Sequence, residues 1–275
     1  MKTLGIIASV TLLCLACKNK PAAPTKTETP KEVKEILPEV KKTPFTQKIE
    51  QAHQMNKFLS HELVQYDIEL SFGGKERLNA TITQMTDDSK IKIEHKSGAT
   101  VYFDGDKVYG FPKGNNFKGA RFDIFTWSYF FALPYKLNDP GTAWSNDENH
   151  KWGEVEYTTS KLTFGNSIGD TPKDWYVIYK NPTTNVLEGA AYIVSFGKEL
   201  EKAEADPHAI RYSNFVTVAG APFATKWTFH NWSLENGYTD VLGEAKISNI
   251  KFANTPDTFF TKLPADAELI SMPAK

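Results

Sequence analysis

The chain has 275 residues, of which 32 are basic and 33 acidic, so its formal net charge is -1. A protein that binds nucleic acid carries a clustered basic excess, and this balance gives no indication of one. Hydrophobic residues make up 40% of the chain, which is enough for one folded core. The two cysteines exclude a fold held together by disulfides.

An apolar segment begins the chain after the positively charged Lys2. Residues 4–16 carry no charge, and a bilayer-spanning helix would need about 20 apolar residues. The segment is therefore too short to span a membrane, but its length is typical of the hydrophobic region of a secretory signal. It ends at Leu15-Ala16-Cys17, which resembles the lipobox of bacterial lipoproteins, although Cys14 stands where that pattern prefers leucine.

The lipobox resemblance implies a signal peptide over residues 1–16 and acyl chains, palmitate among them, on Cys17. Such chains would anchor the protein to a membrane. The alternative is an ordinary secreted protein that is cleaved elsewhere. Lys18 is not the aspartate associated with inner-membrane retention in some bacteria. We therefore expect a lipid-anchored envelope protein in the outer membrane, facing the periplasm.

A tether is predicted over residues 17–45, beginning with the lipidated Cys17. It is rich in lysine and proline, the prolines being Pro21, Pro24, Pro30, Pro38 and Pro44. Such a composition buries too little apolar surface to offset the entropy lost on ordering. We expect a semi-extended spacer that holds a folded domain, residues 46–275, away from the membrane.

The folded region begins with a predicted helix. Thr46 is the predicted N-cap, and apolar residues then recur at steps of three to four, a spacing that predicts one amphipathic helix of about four turns. These residues are Ile49, Ala52, Met55 and Leu59.

From residue 63 the apolar period changes to two, which predicts β-strands. Roughly ten short strands follow, separated by turn residues such as Asp104-Gly105-Asp106. No long helix separates them, so an antiparallel sheet is favoured over parallel βαβ units. The predicted fold is mainly β: a single-domain curved antiparallel sheet, or incomplete β-barrel, of about 10–11 strands.

An aromatic segment at residues 122–133, FDIFTWSYFFAL, interrupts the strands and ends before Pro134. Its spacing fits a helix that is apolar on nearly all sides, although an alternating strand is also possible. A helix of this kind can plug the hollow of a curved sheet, form its lid or cavity wall, or contact a membrane or partner. The sequence leaves these three roles open.

Several stretches together resemble the LolA/LolB-like lipoprotein-carrier superfamily, and more narrowly a group of uncharacterised envelope lipoproteins with that fold. They are VYFDGDKVYGFP, FDIFTWSYFFALPYKL, DWYVIYKNPTTNVLEGAAYIV and PFATKWTFHNW. The resemblance implies an incomplete β-barrel whose apolar hollow is covered by helices. No functional residue of the characterised carriers can be matched to a position here.

The predicted function is non-catalytic binding of a lipid or acyl chain in this hollow, without a metal or other cofactor. The candidate cavity residues are Phe122, Phe125, Trp127, Tyr129, Phe130, Phe131, Leu133, Trp227 and Phe229. The alternatives are a packed scaffold or partner-binding lipoprotein, and a hydrolase or carbohydrate-active protein. In the later strands, aromatic residues occupy both odd and even positions, so they point to both faces of the sheet. We therefore expect one set of rings in the core and another on a second apolar surface.

Overall fold

The computed structural model describes residues 42–166, 168–260 and 262–272. These residues belong to one compact unit. The predicted signal peptide, Cys17 and the tether as far as residue 41 lie outside the described residues. Within the described part of the chain, no helix has both the length and the apolar character needed to cross a bilayer.

The secondary structure of the described residues is dominated by strands. The helices are α1 Pro44–Ala52, α2 Met55–Phe58, α3 Ala120–Ala132, α4 Leu200–Glu204 and α5 Pro256–Phe259, and a 3-10 turn, Leu133–Tyr135, follows α3. The strands are β1 Leu63–Phe72, β2 Lys75–Met85, β3 Ile91–His95, β4 Thr100–Phe103, β5 Val108–Phe111, β6 Thr142–Trp144, β7 Glu148–Trp152, β8 Val155–Phe164, β9 Tyr176–Lys180, β10 Leu187–Tyr192, β11 His208–Val218, β12 Ala221–Ser233, β13 Gly237–Ala253 and β14 Glu268–Leu269.

All of these strands join one antiparallel sheet in the order β14-β5-β4-β3-β2-β1-β13-β12-β11-β10-β9-β8-β6, with β7 also paired to β8. The order begins at β14 and ends at β6, so the curved sheet is not closed into a barrel. The predicted fold class is confirmed. The sheet has 14 strands in the described residues, more than predicted, because β6, β7 and β14 are too short to give an alternating pattern.

The predicted N-terminal helix differs from the one observed. Thr43, and not Thr46, is the N-cap of α1, and its side-chain oxygen accepts a hydrogen bond from the Thr46 backbone N–H. Pro44 occupies the first helical turn, where its missing N–H costs nothing. The single four-turn helix is also wrong: Gln54 has a left-handed φ of 54°, which separates α1 from α2 and leaves Leu59 exposed.

Two further boundaries differ from the sequence prediction. The polar, turn-rich residues 138–150 contain β6 and the beginning of β7, and the alternating residues 151–164, whose pattern predicts one strand, are divided by a turn at Gly153. The acidic segment from Glu199 to Asp206 has the composition of a solvated loop, but it contains the short helix α4, which is anchored by the buried Ala203. These short elements depend on tertiary contacts, which the local pattern does not contain.

The main core lies on the inner face of the sheet, where strands from both halves of the order surround α3. Its buried residues come from α1–α3 and from β1–β5 and β9–β13. Trp227 and Phe229 of β12 and Tyr66 of β1 are among its largest buried side chains. The sheet therefore wraps around a helix, which is the arrangement that the aromatic segment suggested.

A second aromatic cluster lies on the opposite face of β8–β13 and confirms the expected two-sided pattern. It contains Trp152, Tyr157, Trp175, Tyr179, Trp232 and Tyr238. Tyr238 crosses this face and donates to the Ile210 carbonyl at 3.1 Å. Gly189 permits this path, because a Cβ there would lie 2.2 Å from the tyrosine oxygen.

This outer cluster leaves little open ring surface for a sugar. The Trp152 ring stacks on Tyr238 at 4.2 Å, and the guanidinium carbon of Arg211 lies 4.0 Å from its centroid. One ring and one cation thus lie against Trp152, which leaves less of its surface open. Trp175 carries the Lys161 ammonium 4.5 Å from its centroid and meets the edge of Trp232. The geometry disfavours a carbohydrate platform at this surface.

The C-terminal segment covers the outer face of the other half of the sheet. Phe259 and Phe260 pack there against Leu63 of β1 and Tyr102 of β4. The segment then reaches β5, where β14 pairs with Tyr109 and Gly110. Both halves of the sheet are thus packed on two faces.

His53, the C-cap of α1, connects the N-terminal helices to the sheet. Its Nε2 accepts a hydrogen bond from the Leu187 backbone N–H at 2.9 Å, and only 1% of the residue is exposed. Burial lowers the pKa of His53 from 6.5 to about 3, although the nearby Pro222 carbonyl acts in the opposite direction. The imidazole is therefore neutral in the folded protein, as its acceptor role requires.

We expect His53 to make the domain less stable in mild acid. The folded pKa lies below the unfolded one, so the unfolded state binds the proton first and stability falls as the pH drops from 6.5 toward 3. By pH 4.5 the loss from this residue is about 2–3 kcal/mol. His53→Gln retains an acceptor without titrating in this range. Urea unfolding at pH 7 and 4.5 should show a smaller loss for this variant, and an equal loss would contradict the prediction.

Candidate functional site

The candidate site is built around α3, which lies between the two ends of the open sheet. No glycine or proline interrupts residues 120–132. Gly119 is the N-cap with a φ of 80°, a conformation that favours glycine. Pro134 lies in the 3-10 turn that ends the helix. The helix prediction for the aromatic segment is confirmed, and the strand alternative is wrong.

The buried side of α3 is packed ring on ring. Phe131 lies between Tyr66 and Phe223, with ring centroids 3.8 and 5.2 Å away and nearly parallel planes. Trp127 meets Phe229 edge to face at 5.9 Å. Burial of each such side chain contributes roughly 1.5–3 kcal/mol. These contacts fix α3 against β1 and β12.

The opposite side of α3 is a half-buried aromatic stripe. It consists of Phe122, Phe125 and Tyr129, which helical spacing places on one side. Phe125 meets Phe103 of β4 at 5.0 Å, whereas Tyr129 meets Tyr176 of β9 at 5.5 Å. Because β4 and β9 belong to opposite halves of the strand order, the stripe bridges the opening of the sheet. We call this surface the mouth stripe.

A polar clasp fixes the first turns of α3. Asp123 Oδ1 accepts hydrogen bonds from Arg77 Nη2 of β2 at 2.7 Å and from Trp127 Nε1 at 2.9 Å. The Asp123 side chain is 5% exposed and that of Arg77 is 40% exposed. Burial raises the pKa of Asp123 above its usual value, and the Arg77 charge opposes that rise. The clasp is therefore an ion pair with one buried partner.

A second polar connection fixes the C-terminal half of α3. Lys136, just after the 3-10 turn, pairs with Asp88 at 3.1 Å. Asp88 accepts from Gln84, and Tyr66 donates to both Gln84 and the Trp127 carbonyl. Burial raises the pKa of Asp88, whereas the charge of Lys136 lowers it. This chain of hydrogen bonds connects α3 to the turn between β2 and β3.

Little empty space remains at the inner end of the hollow. A cavity there, lined by His53, Phe131, Tyr135, Tyr212 and Trp227 among others, has a volume of about 20 Å3. That is room for about one water molecule. The rings of α3 occupy the hollow in this conformation, as the packed-barrel alternative predicts, and the void of acyl-chain size is not found at this end.

The structure brings most of the predicted cavity residues together. Trp127, Phe130, Phe131, Leu133, Trp227 and Phe229 are buried in the main core, and Phe122, Phe125 and Tyr129 form the mouth stripe. Cys17 lies outside the described residues. Whether any of these residues contacts a ligand stays a prediction.

Sequence reasoning missed the residues that hold α3 in place. Arg77 and Asp123 are 46 positions apart, and neither lies in a motif that would connect them. The contacts of Phe103 and Tyr176 with α3 have no local signal either, because they depend on how the sheet curves. In the described residues, no group of three or more His, Cys, Asp or Glu side chains could hold a metal ion.

A family model described as "Family of unknown function (DUF6503)" matches residues 118–217, a range that contains α3. No curated protein sequence matches the chain. Among solved structures, a LolA superfamily protein from Nitrosomonas europaea is similar at 14% identity and a TM-score of 0.47, over 78% of this chain and 97% of that one.

Two further solved structures are similar. A DUF1329 family protein from Desulfovibrio piger is 11% identical, with a TM-score of 0.46 over 77% of this chain and 94% of that one. A domain from Vibrio parahaemolyticus, described as a putative outer membrane lipoprotein-sorting protein, is 12% identical. Its TM-score is 0.37, over 75% of this chain and 93% of that one. All three TM-scores lie below 0.5 and all three identities at or below 14%, which is too low to transfer a ligand or a role to this chain.

Removal of the cationic partner should weaken the clasp. We expect Arg77→Met to lower the free energy of unfolding by about 1–2 kcal/mol, because it leaves the buried Asp123 carboxylate without its cation while Arg77 itself is partly solvated. In the Asp123→Asn variant, Arg77→Met should lower the free energy of unfolding by less than half as much. Urea unfolding of the four proteins gives the coupling energy.

A matched control for this cycle is Lys246→Met, which breaks an exposed pair with Glu69. Exposed pairs contribute little, so this variant should unfold close to wild type. Equal costs of Arg77→Met in both backgrounds would mean that Arg77 does not act through Asp123.

Proposed function

We propose that this protein is a lipid-anchored envelope lipoprotein whose domain binds an acyl chain beneath α3 without chemical catalysis. The single observation that carries the proposal is the mouth stripe. A helix that is apolar on nearly every side lies across the opening of a curved sheet, with its outward aromatic rings only half buried. Half-buried rings at an opening are an apolar surface that a hydrocarbon can reach.

The conformation described is, in this proposal, a closed state. The rings of α3 occupy the place of a ligand, and the helix must move for a chain to enter. Residues 112–119, which lead into α3, form a loop that is exposed except at Phe117 and Gly119, and in it Gly114 and Gly119 both have positive φ. Glycine permits large backbone changes at such positions. Motion about this loop would carry the mouth stripe outward once the clasp opens.

The energy of opening must be supplied by the ligand. Uncovering the inner rings exposes apolar surface, at a cost of about 25 cal/mol per Å2. An acyl chain in the same place covers that surface again and buries its own methylenes, each contributing about 0.8 kcal/mol. The balance favours longer chains, because the cost of moving α3 is fixed and the gain rises with chain length.

A packed scaffold or partner-binding lipoprotein is the second candidate. The observation that favours it is the cavity of about 20 Å3, which shows rings packed closely at the inner end of the hollow. In that case α3 is a permanent part of the core, and no chain should enter. Ligand titration separates the two candidates.

Acyl-chain affinity should rise steeply with chain length. Four additional methylenes, from dodecanoyl to hexadecanoyl, should add about 3 kcal/mol if fully enclosed, or roughly 200-fold in Kd. Displacement of a neutral fluorescent dye from the purified domain measures this series. Affinity that does not change with chain length, or no uptake at all, would favour the packed scaffold.

The mouth stripe should contribute directly to that affinity. We expect Phe125→Ser to weaken hexadecanoyl binding by about tenfold, since a half-buried ring is worth on the order of 1.5 kcal/mol. The matched control is Leu234→Ser, which removes an apolar side chain that is 65% exposed outside α3. Equal weakening by both variants would indicate nonspecific surface binding.

Membrane anchoring depends on Cys17 in this proposal. The full-length chain should fractionate with membranes and incorporate labelled palmitate, whereas Cys17→Ser should do neither and keep an uncleaved leader. Cys14→Ser is the control and should behave as wild type. Labelling that survives in the Cys17 variant would contradict the lipobox interpretation.

A further inference from the structure

We infer that the Tyr129 hydroxyl is a specificity-determining donor, and that the preferred ligand is an acyl chain with a neutral carbonyl acceptor, such as an ester or amide. This inference rests on the proposed function and names the chemical class of the ligand. It is carried by the hydrogen bonding of Tyr129 and by the charges around its hydroxyl.

The Tyr129 hydroxyl is buried and has no hydrogen-bond partner in the described part of the chain. Its ring belongs to the mouth stripe and lies among Tyr176 and Phe164, with centroids 5.5 and 6.4 Å away. Phe164 offers no acceptor, and Tyr129 makes no hydrogen bond with the Tyr176 hydroxyl. A buried hydroxyl without a partner is costly, and native proteins seldom retain one without a reason.

Three neighbouring tyrosines that face α3 and the 3-10 turn have acceptors. Tyr212 donates to the Phe130 carbonyl at 2.8 Å, and Tyr66 donates to the Trp127 carbonyl at 3.4 Å. Tyr135 donates to the Pro222 carbonyl at 3.2 Å. Among the tyrosine hydroxyls of the described residues, that of Tyr129 is the one that is fully buried and has no hydrogen-bond partner.

The charges near Tyr129 determine which acceptor suits it. Burial, together with the carboxylates of Asp139 and Asp88, raises the pKa of Tyr129 well above its usual value, so the phenol keeps its proton and can donate it to a ligand acceptor. The same carboxylates, bridged by Lys136, repel an anionic headgroup. A neutral carbonyl accepts the bond without that repulsion.

The position of Tyr129 fits a group that follows a chain into the opening. Tyr129 lies in the C-terminal half of α3, and Phe122 and Phe125 extend the apolar stripe toward the N-terminal end. A chain that enters the opening beneath the displaced α3 passes the phenylalanines of the stripe, and its carbonyl, which stays at the opening, can accept from the hydroxyl. An unsubstituted hydrocarbon would leave the donor unpaired, so the site discriminates against it.

Three probes of equal chain length test the inference: tetradecane, methyl tetradecanoate and tetradecanoate, each titrated against a neutral dye bound to the domain. Wild type should bind the ester about 5- to 10-fold more tightly than the alkane. Tyr129→Phe should lose this preference and bind the alkane as wild type does. Tyr238→Phe is the matched control, because its hydroxyl already donates to the Ile210 carbonyl on the outer face of the sheet, and it should keep the ester preference.

Three results would overturn the inference. The first is an ester preference that survives in Tyr129→Phe, and the second is Tyr129-dependent binding of tetradecanoate above the ester. The third is a marked fall in the urea midpoint of Tyr129→Phe, which would mean that the hydroxyl already has a partner in the free protein. Failure of all three probes to displace the dye is a different outcome, because it removes the proposed function and the inference with it.

Discussion

The stacking of Phe131 between Tyr66 and Phe223 is the contact on which the arrangement of this domain depends. It connects the C-terminal end of α3 to β1 and β12, which are separated in the sheet only by β13. An open antiparallel sheet has one face that must be covered, and covering it from within requires a helix with apolar side chains on more than one side. The aromatic composition of α3 meets that requirement.

The sequence was sufficient to predict the parts of the fold that follow local periodicity. Strand β1 gives clear alternation, with Tyr66, Ile68 and Leu70 buried, and the segment that forms α3 has the spacing of a helix. The Asp104 turn was also predictable, because its carboxylate accepts from the backbone N–H groups of Asp106 and Lys107. Each of these signals is contained within a few neighbouring residues.

What could not be predicted depends on contacts between distant segments. The break at Gln54 and the short strands β6, β7 and β14 have no periodic signal of their own. The candidate residues of α3 were visible as an aromatic run, but which of them would face inward depends on the curvature of the sheet. The clasp between Arg77 and Asp123 had no local signal, and it determines how firmly the helix is held.

A carrier and a solid scaffold differ here only in whether α3 can leave its place. Apolar packing stabilises the position of the helix strongly, but these contacts are not directional. Another hydrocarbon can therefore cover the same rings. The polar contacts at Asp123 and Asp88 are directional, and no acyl chain can replace them. The functional question is therefore how these two kinds of contact divide the free energy that keeps the helix in the sheet.

The packing on the outer face of the sheet has a mechanical consequence. Tyr238 and Trp152 cover one half, and the C-terminal segment covers the other. A sheet supported from behind resists flattening, because any change in its curvature would separate rings that are in contact there. The curved sheet is therefore stiff, and we expect the volume available inside it to change through movement of α3.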